Sequence, residues 1–269
     1  MTSLSKAPGK NSQMRCSPFI FRLVKPAVAA CLFTALFFLC HARSQEIIDI
    51  GRFSAAKSGE ILPSGWKPLF FRNINKHTAY SIIEENGSPV VMAVAEAAAS
   101  GLVREIKINP VEYPVVRWKW KVGNVLKKGD VGRKEGDDYP ARLYITFEYD
   151  PGKLGLFEKS KYEMARLIYG QYPPHAAINY IWESRSPVGT MVPNPYTNRT
   201  MMFVVESGGE SLNKWIEEER NVYEDYRRAF GGEPSMISGV AIMTDTDNTG
   251  ETATAYFGDI RFEKKRVRP

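Results

Sequence analysis

The chain has 269 residues, of which 43% are hydrophobic and 25% charged. That is the make-up of a folded domain and excludes collagen-like, disordered and multi-span membrane classes. Its formal charge of +6 does not point to nucleic acid. Residues 1–44 hold Lys6, Lys10, Arg15, Arg22, Lys25 and Arg43 and no acid, so the remainder has 30 basic and 30 acidic residues. Phosphate binding needs an excess of basic side chains that such a balance does not supply.

Residues 1–44 have the layout of a secretory signal. A basic stretch ends at Arg22 and Lys25, an uncharged apolar run covers residues 26–40, and Ala42-Arg43-Ser44 places small residues where a signal peptidase reads them. The apolar run is short for a spanning helix, which needs about 20 residues. Cleavage is expected after Ser44, with Ala42 as the alternative point, giving a periplasmic or secreted product without a stable membrane span. The competing reading is an uncleaved N-terminal anchor. Cys16, Cys31 and Cys40 all lie in this segment. Residues 45–269 therefore have no disulfide, thiolate nucleophile or cysteine-held zinc, and a single domain must rest on its apolar core.

From residue 80 onward the pattern is of strands. Runs with period-two alternation and β-branched or aromatic residues cover 80–84, 90–95, 102–108, 115–122, 143–149, 177–182, 201–205, 237–244 and 254–262. Glu85-Asn86-Gly87-Ser88 marks a hairpin, because Asn-Gly takes the positive φ values of a tight turn. Two amphipathic helices are expected, over 156–169 and 219–230, each followed by glycine. The fold class is all-β, a β-sandwich of jelly-roll type decorated with two short helices. The loop Asp245-Thr246-Asp247-Asn248-Thr249-Gly250-Glu251 is expected to close a final hairpin.

Pleat parity sorts the candidate functional residues. In residues 115–122, Val116, Trp118, Trp120 and Val122 share one face, which reads as core, and Arg117, Lys119 and Lys121 share the other. In 141–149 the polar side is Arg142, Tyr144, Thr146 and Glu148. Asn179 stands on one side of the third strand, with Ile181 and Glu183. Were these strands in one sheet, Arg117, Lys119, Arg142, Tyr144 and Asn179 would form a cationic face. Arginine forks suit carboxylates, and amide and phenol groups suit hydroxyls. The polar connection 126–140 would rim that face with Asp137 and Asp138. The expected ligand is a carbohydrate, especially an acidic one, or another polar envelope molecule. A solvated face with cross-strand ion pairs is the bland alternative.

Asp245 and Asp247 open a loop with the start of an EF-hand spacing, which makes them candidates for calcium. Tyr256 stands where that motif needs its bidentate acid. No other cofactor is expected. His77 and His175 lack metal-ligand spacing, and no Gly-x-Ser-x-Gly elbow is present. Two enzyme readings stay open on the same face: a glycosidase using paired carboxylates, or a lyase with Tyr144 as base. A structural or assembly role in the envelope is the third reading.

Two resemblances sit beside this. Ile237-Ser238-Gly239-Val240-Ala241-Ile242-Met243 and Ala255-Tyr256-Phe257-Gly258-Asp259-Ile260-Arg261-Phe262 resemble the closing strands of galactose-binding-like jelly rolls, which implies architecture alone. From Trp66-Lys67-Pro68 onward the chain is similar to a family of exported bacterial proteins classed as a domain of unknown function. Arg133-Lys134-Glu135-Gly136-Asp137-Asp138-Tyr139-Pro140-Ala141-Arg142, Asn179-Tyr180-Ile181-Trp182 and the 245–251 loop carry that likeness, which implies no activity.

Overall fold

A computed structural model describes residues 46–57, 60, 62–149 and 174–264. They belong to one compact unit, Gln45–Pro269. Thirteen strands are seen among these residues: β1 Ile47–Gly51, β2 Lys67–Leu69, β3 Ala79–Glu85, β4 Ser88–Glu96, β5 Ala99–Ile108, β6 Val115–Val122, β7 Ala141–Phe147, β8 Ala176–Glu183, β9 Met191–Asn194, β10 Thr197–Ser207, β11 Ile216–Asn221, β12 Ile237–Asp245 and β13 Thr252–Glu263, with helix α1 at Val222–Phe230. One sheet runs β11-β6-β13-β4-β3, with β1 also on β13. The other runs β2-β5-β12-β7-β8-β10-β9. From β4 to β7 the chain changes sheet with each strand, and it changes again from β12 to β13, which is the jelly-roll pattern of a two-layer sandwich. Among the described strand pairs only β8–β10 is parallel.

The alternation in β6 and β7 decides which faces meet. Trp118 and Trp120 point inward from β6 and are almost wholly buried, with Leu143, Ile145 and Phe147 of β7 facing them from the other sheet. Trp118 stacks on Tyr180 at 5.2 Å, and Trp120 meets Trp182 edge-on at 6.2 Å. These aromatic contacts between the layers bury large apolar areas in the middle of the sandwich. The Asn86-Gly87 turn joins β3 to β4 with both residues at positive φ, 52° and 75°, as a tight hairpin requires.

Every run expected as a strand is one, with ends shifted by a few residues. The helix expected over 219–230 begins only at Val222, because residues 219–221 finish β11 on the edge of β6. Asn221 then caps the helix, its side chain accepting from the Glu224 N–H at 3.1 Å. Val222 and Tyr226 enter the core, and Tyr226 packs on Phe147 at 4.6 Å. The helix expected over 156–169 lies outside the described residues. Residues 245–251 do not close a hairpin. Their flanking strands pair with different partners, β12 with β5 and β7, and β13 with β4, β6 and β1. The loop therefore bridges the two layers.

Candidate functional site

The strand sharing on which a single cationic face depended is not present. Arg117 and Lys119 belong to β6 and project from the outer side of the first sheet, whereas Arg142, Tyr144 and Asn179 belong to the second. With both inner faces filled by core, the two groups lie on opposite outer sides of the sandwich. Arg117 is taken up by Glu219 and by Glu263 Oε2 at 3.1 Å. Lys119 lays its aliphatic chain over Gly258, where a Cβ would collide with it, and sets its ammonium 5.3 Å from the Trp215 ring centre. That face is one of cross-strand pairing and packing.

The outer side of the second sheet carries a cavity of about 610 Å³. Residues 71–74 between β2 and β3 form one wall. Arg142 and Tyr144 of β7 and Met243 and Asp245 of β12 form the floor. Asp137 from the β6–β7 connection, Asn194 and Tyr196 from the β9–β10 hairpin, and Asp247 and Asn248 after β12 complete it. Beside it the connection 126–140 lies over the same sheet. Val131 and Tyr139 of that connection form a second small core with Ile181, Met202 and Val204. Gly136 allows a tight approach there, since a Cβ would sit 2.7 Å from the Asp130 nitrogen.

Arg142 organises this end of the molecule from beneath. It is 2% exposed. Its Nε donates to Asp245 Oδ1 at 2.7 Å, Nη2 donates to Asp245 Oδ2 and to the Asp137 carbonyl, and Nη1 donates to the Tyr144 hydroxyl at 3.1 Å. The guanidinium also lies 4.3 Å over the Tyr139 ring. Four of its five N–H groups are thus committed, so Arg142 positions its neighbours and does not serve as an open anion fork. Burial works against its charge, but Asp245, Tyr144 and Asp137 hold it firmly protonated. Burial pushes the Asp245 carboxyl up, with Asp138 and Asp137 adding to the effect and Arg142 pulling against it.

Asp138 is also structural. Its side chain is fully buried and accepts the Asn248 N–H at 3.3 Å and the Thr249 N–H at 2.6 Å. Glu251 accepts the N–H groups of Lys127 and Lys128 in return, so the two acidic loops are laced together. Asp138, Asp245 and Asp247 each place one carboxylate oxygen within 4.8 Å of the others, a spacing a divalent cation could bridge. The arrangement is a poor fit to calcium. Both Asp138 oxygens already receive backbone donors, and the Arg142 guanidinium holds both Asp245 oxygens in the position a metal would want.

Asn179 faces the same way as Tyr144, its cross-strand partner, but is fully buried, with its Nδ2 3.4 Å from Met202 Sδ. Of the residues expected to share a face, Asp137, Arg142 and Tyr144 line the cavity and Asn179 lies under it. Tyr144 is half-buried; burial, with Asp245 and Asp137 near, pushes its hydroxyl up to about 12 although Arg142 opposes this. Its hydroxyl is a hydrogen-bonding group held beside the Arg142 guanidinium. The lining residues include three acids, Asp137, Asp245 and Asp247, against Arg72 and Arg142. The surface is therefore mixed in charge, where a cationic one was expected.

The residues that sequence reasoning missed are Phe71, Arg72, Asn194, Tyr196 and Asn248. Asn194-Pro195-Tyr196-Thr197-Asn198 has the composition of a turn, but only the parallel pairing of β10 on β8 shows which end of the sheet it reaches. Tyr196 is exposed; its hydroxyl donates to the Lys134 carbonyl at 3.2 Å and accepts from Asn248 Nδ2 at 2.9 Å.

Residues 64–261 match the family described as "Protein of unknown function (DUF3047)". The chain belongs to the DUF3047 family. The matched span runs from the segment before β2 into β13 and so takes in every wall of the cavity. Among curated proteins no relative matches in sequence. Of solved structures, the family 11 carbohydrate-binding module of a cellulosomal cellulase of Clostridium thermocellum is similar at 8% identity and a TM-score of 0.40, over 84% of this chain and 99% of that one. A family 30 carbohydrate-binding module from the same organism is similar at 10% identity and a TM-score of 0.38, over 81% and 98%. Likenesses this remote leave the role of the DUF3047 chain to its own geometry.

Proposed function

We propose that this protein is exported and binds a carbohydrate in the cavity on the outer side of the second sheet. The observation that supports the reading is the lining. Neutral hydroxyl and amide groups (Tyr144, Asn194, Tyr196, Asn248), carboxylate acceptors (Asp137, Asp247) and apolar groups (Phe71, Ile74, Met243) converge from separate segments on one concavity. A sugar offers donors all round its ring and an apolar face for stacking, and about 610 Å³ is a small-ligand volume. Asp137, Asn194, Tyr196 and Asn248 are fixed by hydrogen bonds between loops, so these groups lose little freedom on binding.

A glycan array followed by titration calorimetry on the best ligand tests this. Tyr196→Ala and Asn248→Ala should each weaken binding about tenfold, near 1.4 kcal/mol, and the ligand should be recovered uncleaved. Lys119→Ala, on the opposite side, should leave affinity unchanged. An affinity lost in Lys119→Ala and kept in both cavity variants would overturn the proposal. So would a failure of every glycan to bind.

A further inference from the structure

The charges of the cavity point to what the ligand carries. Arg142 and Asp245 satisfy each other. Arg72 stands exposed on the β2–β3 wall. Of the other two acids, Asp137 keeps a long ion pair to Arg142 at 3.6 Å, and Asp247 lines the cavity with no ion pair among the described residues. Asp137 is 6% exposed. Its Oδ2 accepts from Asn194 Nδ2 at 2.9 Å, while its Oδ1 has no hydrogen-bond donor, Arg142 Nη1 standing 3.6 Å away, beyond bonding length. A buried carboxylate oxygen without a hydrogen-bond donor is unfavourable, and the fold offers Asp137 Oδ1 only the long Arg142 ion pair. Asp247 is half-buried and lines the same cavity. Both acids would gain from a cationic donor placed between them and from nothing anionic.

We infer that the ligand bears a protonated amine, which sits against Asp137 Oδ1 and Asp247, and that the carbohydrate recognised is an amino sugar and not a uronic or sulfated one. This rests on the carbohydrate reading above and narrows it. An ammonium supplies three donors on a compact charge. Opposed charge in a partly dry site favours the right partner and penalises the wrong one.

The test is calorimetry on the purified protein with β-1,4-linked glucosamine oligomers, their fully N-acetylated counterparts, uronic-acid oligomers and calcium chloride alone, in a mildly acidic buffer that keeps the amines protonated. The amine form should bind at least tenfold more tightly than the acetylated form, and the uronic oligomer should not bind. Asp247→Asn and, separately, Asp137→Asn should abolish the preference, bringing the amine form down to the affinity that the same variant shows for the acetylated one. Equal binding of the two forms, or a preference that survives both variants, overturns the inference while leaving the carbohydrate reading in place. Heat from calcium alone that Asp247→Asn abolishes, without any amine preference, would mean that the acids hold a metal. If none of these oligomers binds, the inference falls, and the carbohydrate reading is decided by the glycan array.

Discussion

Arg142 is the side chain on which the cavity floor depends. Its planar fork spans both oxygens of Asp245, the Asp137 carbonyl and the Tyr144 hydroxyl. Removing one partner of a buried pair strands the other, which typically costs 3–5 kcal/mol, and a lysine cannot reproduce the fork. Arg142→Ala should therefore lose roughly 3–5 kcal/mol in urea unfolding and Arg142→Lys roughly 1–3 kcal/mol. Tyr144→Phe, which removes one hydrogen bond at a half-buried position, should lose no more than about 1 kcal/mol. A loss below about 1 kcal/mol in Arg142→Ala would show that Asp245 is satisfied in some other way. The residue types were legible in the sequence, and the division of labour among them was not. Arg142 and Asp138 look like free ligand groups until their partners 103 and 111 residues away are known.

Among elements, β11 shows how an edge strand can carry a titrating group. Trp120 Nε1 donates to Glu218 Oε1 at 3.2 Å. Burial first, and then the nearby charge of Glu206, pushes the Glu218 carboxyl up to about 7 from an ordinary 4.5. The folded state thus binds more protons than the unfolded chain between those two values, so this group makes stability fall as pH rises through that window. Glu218→Gln keeps the acceptor for Trp120 and removes the charge. It should flatten the melting temperature between about pH 4.5 and pH 7 and raise stability by roughly 1–2 kcal/mol at about pH 8. An unchanged pH profile would remove Glu218 as the cause. Strands with strict alternation, such as β6 and β7, were legible from their pattern alone. β2, β9 and β11 were not: β2 and β9 have three and four residues, and β11 is a charged stretch whose pairing on β6 supplies the reason for its extension.

At the scale of the whole molecule, the sandwich and its inward tryptophans follow from period two, because a strand buried on one side must alternate. The order of strands within the sheets does not follow, since alternation says which side of its own sheet a residue takes and nothing about which sheet that is. That ambiguity placed Arg117 and Lys119 beside Arg142 in the sequence reading, on the far side of the fold from it. The same limit hid Asn194 and Tyr196, which reach the cavity through a parallel crossover. The export proposal is checked separately: N-terminal sequencing of the protein recovered from its native cells should begin at Gln45, or at Arg43 for cleavage after Ala42, and an intact Met1 or Thr2 start would contradict it.

Mapping the bound glycan onto the fold by backbone amide chemical shifts, using the strongest ligand from the array, tests the account most directly. The largest changes should fall on Asp137, Asn194, Tyr196, Asp247 and Asn248. Changes confined to Arg117, Lys119 and Arg261 on the opposite sheet would contradict it.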